Sequence, residues 1–397
     1  MKCKHFIFLI FICIKKCVDH LAFGEMNVAK VPDFSCERFK GAVNVKSYLG
    51  FFLLFIIGLS SAYIIGFQSY SPATGLAYDD EQKGLNDQIV IKFSHVVAEN
   101  TPKGIAAQKF AELVQEKTNN KVKVEVFSNG SLYSDKEELL ALQQNSVQMI
   151  APATSKLTES YPTWQVLDLP YVFPTSQSIK EALSGEIGEE LLKELEKEEI
   201  KGLTFWSNGF KQMTSNSLIT KPEDLEGKNF RIMPSNVIEA QFDEFGAKAS
   251  VLPFNQTFPY LESKKIDGQE NTISNIYSKK IYEVQKYMTI SNHGYLGYAV
   301  LINNKFWNNL PKEIQRQILD ALNETSEWLW ETSEELNKAQ LAKIKENSTI
   351  EIYVLSNEER REWMEKFSPI YKQFEDEIGS DLLNKISRLR NKYLLNE

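Results

Sequence analysis

Cysteine is absent from this chain after position 36: Cys3, Cys13, Cys17 and Cys36 are its four cysteines. The remaining residues therefore hold neither a disulfide scaffold nor a thiolate metal site. Histidine is scarce as well, with only His95 and His293 beyond residue 85. No G-x-S-x-G, Walker, G-x-G-x-x-G or H-E-x-x-H pattern occurs, so neither enzymatic chemistry nor a cofactor is expected. Basic residues form no stripe interleaved with aromatics, and the net charge is -8 with 25% charged residues, which argues against a nucleic-acid partner. An acidic protein that binds an anion must do so through a local group of cations, so individual lysines and arginines carry the interest.

A long uncharged run, LGFFLLFIIGLSSAYIIGF, occupies Leu49 to Phe67, close to the ~20 residues that a spanning helix needs. Lys40 and Lys46 precede it and Asp79, Asp80 and Glu81 follow, a bias that puts the N-terminus inside and the bulk outside. The run reads as a signal anchor or as a cleaved signal peptide, its length favouring the anchor. On this reading 1–47 is an N-terminal extension without a legible fold, 48–67 the membrane segment and 68–87 a linker.

The 397 residues leave room for two domains with full cores. Ile89 to Phe93 is β-branched enough for a strand and ends at Ser94-His95. Thr101-Pro102 then opens a helix with Ile105, Phe110, Leu113 and Val114 on one face. Val122, Val124 and Val126 alternate with charged residues as in a half-buried strand, closed by Asn129-Gly130. Ser134 is placed to cap a helix through Gln144, and Val147 to Ala151 reads as a third strand ending near Ser155 and Lys156. Such an open α/β sheet binds ligands beyond the carboxyl ends of its strands. That rule points to His95, Lys103, Ser155 and Lys156. The proline-rich, apolar Leu167 to Pro174 fits neither a regular element nor an exposed loop, and is expected to pack against a neighbour.

A second α/β series follows Gly202 to Trp206, and three polar interruptions stand out: Asn208-Gly209-Phe210-Lys211, Lys228-Asn229-Phe230-Arg231, and Asp267-Gly268-Gln269-Glu270-Asn271. Arg231 lies inside a strand-like run, where a guanidinium must meet a carboxylate of the protein or point into a cleft. An arginine fork matches an organic carboxylate with two parallel bonds; the residues alone leave both readings open. Asn271, at a strand end, is a second donor. Lys312 to Lys345 is the longest helical pattern, about 50 Å at ~1.5 Å per residue, and should cross both lobes. Glu358 to Leu395 reads as helical and amphipathic. The divisions expected are lobe I from 88–208 plus 297–336 and lobe II from 209–296 plus 337–392.

The motifs FSHVVAENTPKGIAAQKF, SNGFKQMTSN, KNFRIMPS, DGQENTISNIY, IYEVQKYMTISNHGYLGY and NNKFWNNLP, in this order, resemble the solute-binding proteins of tripartite ATP-independent periplasmic (TRAP) transporters, within them the C4-dicarboxylate group. The resemblance spans roughly Gln88 to Asn384. It implies a two-lobed α/β periplasmic-binding-protein-like receptor that closes on malate, succinate or fumarate and delivers it to a small and a large membrane subunit. Residue by residue it implies that Arg231 pairs with a ligand carboxylate, that Lys211 stands where sialic-acid relatives have arginine, that Asn271 belongs to the Gln-Glu-Asn motif and that Phe254 walls the pocket. His95, Lys103, Lys156 and Tyr295 fall in matching motifs. Another organic or sugar acid, or a sensor role with a signalling partner, remains the alternative, and the long N-terminal extension with its apparent anchor departs from the family pattern.

Overall fold

The structure, a computed structural model, describes residues 88–395. The extension, the apolar run at 49–67 and the linker lie outside the described residues. Among the described residues no helix is long and apolar enough to cross a membrane.

Among the described residues nine strands form one mixed sheet: β1 (Ile89–Ser94), β2 (Val122–Phe127), β3 (Met149–Ile150), β4 (Ile200–Ser215), β5 (Asn229–Ile232), β6 (Lys248–Val251), β7 (Gly268–Thr272), β8 (Tyr287–Asn303) and β9 (Glu351–Val354). Their order is β2-β1-β3-β8-β4-β7-β5-β6, with β9 also paired to β8. The parallel trio β2-β1-β3 makes one half, and the parallel trio β7-β5-β6 makes the other. The long antiparallel strands β4 and β8 run through both halves and join them, giving the two-lobed form.

The local chemistry is as expected at several ends. Thr101 caps the helix Pro102–Lys117 by accepting from Gly104 N, with proline in its first turn, where the missing N–H is not needed. Ser235 does the same for Asn236–Asp243. Ser134 does not cap the next helix, which begins at Glu138; its N–H and hydroxyl instead bond Glu137 at 3.0 and 2.6 Å. Leu167 to Pro174 is packed between neighbours, with Tyr171 N on His293 O at 2.8 Å and Gln241 Nε2 on Asp168 O also at 2.8 Å.

One expectation about the strands needs correction. Gly202–Trp206 and Lys211–Ser215 are parts of a single strand, β4, because Asn208-Gly209 is accommodated as a bulge opposite β8 instead of as a turn. Helix Ser380–Leu394 packs on Ser176–Leu183 and Glu186–Glu194, with Lys385 on Glu190 at 2.9 Å and Arg390 Nε on Tyr171 O at 3.0 Å.

The helix Lys312–Asn347 crosses the back of the sheet. It packs on Pro102–Lys117, on β4 and on Ile273–Ser278. One apolar core follows the sheet, and a smaller one joins Leu261, Ile266, Ile276 and Met288 to Ile344 of the long helix.

Candidate binding site

The carboxyl ends of β1, β3, β5 and β7 converge on a narrow cavity of about 30 Å³. Its polar lining consists of Lys103, Lys156, Arg231, Asp135, Glu138, Asn271, Asn275 and Tyr298; Phe254, Val97, Met233 and Leu296 supply apolar wall.

Arg231 leaves β5 between Phe230 and Ile232, both fully buried, and is itself 1% exposed. Its Nε donates to Leu252 O at 3.0 Å, while the buried Nη1 has no hydrogen-bond partner. The guanidinium carbon lies 5.9 Å from the centre of the Phe254 ring. Arg231 forms no ion pair among the described residues, so the salt bridge that the residues alone left open is not made. A guanidinium held by one backbone bond, with a free N–H in a cavity, is the group that an incoming carboxylate would satisfy.

Lys103 is fully buried, donates to Ala151 O at 2.7 Å and lies 3.8 Å from the centre of the Tyr298 ring. Burial brings its ammonium down to about 7, only partly opposed by Glu138. Lys156 meets Asp135 at 2.6 Å, and burial lowers it against that carboxylate's pull. Asn271 accepts from Thr272 N at 3.1 Å and Asn275 Nδ2 at 2.8 Å, so its own amide N–H groups are the ones left to offer. Five of the residues singled out in the sequence, Arg231, Asn271, Phe254, Lys103 and Lys156, are thus brought together.

Lys211, His95 and Tyr295 are not on the cavity wall. Lys211 is 2% exposed and bonds Glu270 at 2.9 Å; the other Glu270 oxygen meets His293 Nε2 at 3.0 Å, and His293 Nδ1 meets Ser291 Oγ at 2.7 Å. Burial alone would push the Glu270 carboxyl up, but Lys211 and His293 together outweigh it and bring it down to about 2. Lys211 is therefore committed to an internal carboxylate that its position in sequence did not reveal. His95 is fully buried with its ring edge-on to Phe93, and burial, reinforced by Lys103, brings its imidazole down to about 3. Tyr295 packs edge-on against Phe173. Gly297 leaves the space for its ring, since a Cβ there would lie 2.6 Å from it.

Four polar wall residues were not singled out in the sequence: Asp135, Glu138, Asn275 and Tyr298. Asn275 was signalled by its place four residues after Asn271, at the start of helix Ile273–Ser278. Tyr298 was the second tyrosine of the same Gly-Tyr-Leu-Gly-Tyr run. Asp135 and Glu138 looked like ordinary first-turn acids of a surface helix, and only the fold turns them inward.

A wider groove of about 800 Å³ follows the long helix. Its lysines face solvent-exposed carboxylates, Lys338 on Glu334 at 2.7 Å and Lys180 on Glu327 at 2.6 Å, so it lacks the buried cations of the sheet-end cavity.

Fold and site define a two-lobed solute receptor with a small, cation-lined pocket between strand ends. Residues 93–377 match the family model described as bacterial extracellular solute-binding protein, family 7, and the chain belongs to that family. It is 52% identical over 347 residues to the C4-dicarboxylate-binding protein DctB of Bacillus subtilis, an alignment covering 87% of this chain and 99% of that one. It is 41% identical over 312 residues to the C4-dicarboxylate-binding periplasmic protein DctP of Rhodobacter capsulatus, covering 78% and 94%. Among solved structures, a TRAP periplasmic solute-binding protein from Shewanella oneidensis with bound succinate aligns with a TM-score of 0.74 and 40% identity over 76% of this chain and 99% of that one. One from Pseudomonas aeruginosa with bound L-malate aligns with a TM-score of 0.70 and 36% identity over 72% and 99%.

Proposed function

We propose that this protein is the extracytoplasmic receptor of a TRAP transporter and captures a C4-dicarboxylate such as succinate, malate or fumarate, releasing it unchanged to a small and a large membrane subunit. The observation that carries the reading is the buried, unpaired Arg231 guanidinium facing the same narrow cavity as Lys103 and Lys156. Arg231 grips one carboxylate and the two lysines neutralise the other, with the Asn271 amide and the Phe254 ring fixing orientation. The succinate- and malate-bound relatives support the ligand class. A relative with bound galactonate, 31% identical with a TM-score of 0.74, keeps sugar acids as the rival; the higher identity of the succinate- and malate-bound relatives, 40% and 36%, favours the dicarboxylate. Retention on the outer face of the membrane by residues 49–67 rests on the sequence of that run alone.

Calorimetry with succinate, malate, fumarate and galactonate tests the assignment. Charge-assisted bonds contribute about 1.5 to 3 kcal/mol, so Arg231→Ala should weaken dicarboxylate binding by about 10²-fold or more. Unchanged affinity in that variant, or preference for galactonate, would refute it.

A further inference from the structure

Two carboxylates line the cavity beside the three cations, and an anion receptor has no evident use for them. Asp135 is ion-paired: its Oδ2 receives Lys156 at 2.6 Å and Phe254 N at 3.1 Å, tying strand-end groups of the two halves together, while its Oδ1 is buried without a partner. Glu138 is not. It is 1% exposed at the start of helix Glu138–Gln143; one oxygen receives the Ser94 hydroxyl at 3.3 Å, and Oε2 is buried without any partner. It makes no ion pair among the described residues, because the nearby Lys103 ammonium is held by Ala151 O and the face of Tyr298.

The charges on this wall decide what a dianion finds. With Lys103 in the ammonium form that a bound anion favours, Lys103, Lys156 and Arg231 against ionised Asp135 and Glu138 give a net +1, which a dianion turns to -1. With Glu138 as a neutral acid the wall carries +2, and the complex is neutral. An uncompensated charge in a buried site is strongly unfavourable. An ionised Glu138 would also face the ligand carboxylate as a like charge, whereas its acid form presents an O–H donor.

We propose, resting on the dicarboxylate reading, that the ligand is captured together with a proton: the dianion binds the form of the site in which Glu138 is a neutral acid. The proton comes from the buffer, the Glu138 carboxylate becomes a carboxylic acid, and no other bond changes.

The groups around Glu138 set the pH range. Lys103 faces it from helix Pro102–Lys117, Lys156 from the turn Thr154–Lys156, Asp135 from the loop before its own helix and Ser94 from the end of β1. The imidazole of His95, next to Ser94 and electrostatically coupled to Lys103, stays neutral. Burial dominates, opposed by the two lysines and reinforced by Asp135, and pushes Glu138 up to about 8. In the free protein the carboxyl is thus mostly protonated at neutral pH and ionises as the pH passes 8. A bound dianion holds the proton on, so uptake on binding grows above neutrality and affinity falls as pH rises.

Succinate titrations at pH 8 in phosphate and in Tris, which differ in ionisation heat, measure the protons taken up; the dependence of Kd on pH from 7 to 9 is the second readout. The wild type should take up about half a proton or more at pH 8, and its Kd should rise toward tenfold per unit at the alkaline end. Glu138→Gln, which keeps the shape but cannot ionise, should take up clearly less and show a flatter pH profile. Buffer-independent heats and a flat Kd in the wild type, or unchanged uptake in Glu138→Gln, would overturn the inference while leaving dicarboxylate binding intact. If that variant does not fold, Lys103→Arg takes its place: its guanidinium stays charged where the Lys103 ammonium is brought down to about 7, so uptake that persists in it belongs to Glu138 and uptake that vanishes in it would overturn the inference. Failure of succinate, malate and fumarate to bind in any buffer would overturn the ligand reading and this inference with it.

Discussion

Lys211 and Arg231 look interchangeable in the sequence as cations at strand positions of the second lobe, and the structure assigns them opposite tasks. Lys211 neutralises Glu270, with the pair 2% and 1% exposed, while Arg231 keeps a donor free. Removing one partner of a buried pair costs roughly 3 to 5 kcal/mol. Lys211→Met should therefore destabilise the protein by about that much in urea unfolding, a loss that Arg231→Ala does not share. Acid behaviour follows with a definite sign. The folded Glu270 carboxyl is held at about 2, below its ordinary 4.5, so its contribution is complete above about 4.5 and is lost as pH falls toward 2. Lys211→Met, in which that depression shrinks, should lose less stability than the wild type over the same acid range; an equal loss would show that the pair does not set it.

At the level of elements, the junction of the halves is a bulge in β4 clasped by the long helix. Gly209 has φ of +137°, a conformation closed to ordinary side chains, and a Cβ there would also meet Asn337 Nδ2 at 3.2 Å. Asn337 donates to Asn208 O at 2.7 Å and accepts from Ser274 N at 2.9 Å. Asn208 in turn donates to Tyr298 on the cavity wall at 2.8 Å. One side chain of the back helix thus holds the bulge and, through Asn208, a ligand-facing ring. Asn337→Ala leaves a buried carbonyl and a backbone N–H without these partners and should cost about 1 to 3 kcal/mol, measured by thermal unfolding. The sequence marked Asn208-Gly209 as a break because the pair is typical of turns. It cannot show that the strand resumes in the same ladder, since the partner supplying that ladder, β8, lies far along the chain, with Gly209 opposite Leu296.

For the whole molecule, the cavity is built from groups on both halves: Lys103 and Lys156 from one, Arg231, Phe254 and Asn271 from the other. A ligand that touches all of them binds the closed arrangement better and draws the population toward it. Small-angle scattering should show a smaller radius of gyration with saturating succinate than without, and the Arg231→Ala variant should show no change at the same concentration. Identical wild-type profiles would exclude closure of the lobes as the ligand-driven step.

What the sequence by itself determined is the alternation of strands and helices, the long crossing helix and the cations at strand ends, because these follow from local periodicity and from the rule that open sheets bind at their carboxyl edges. What the tertiary structure decided is which of those cations is free. Charge pairing depends on contacts between residues distant in the chain, such as Lys211 with Glu270 or Lys156 with Asp135, and no local pattern records them. The same holds for Glu138, whose place in a helix first turn is ordinary in sequence and whose burial near Lys103 and Lys156 is a property of the folded chain alone.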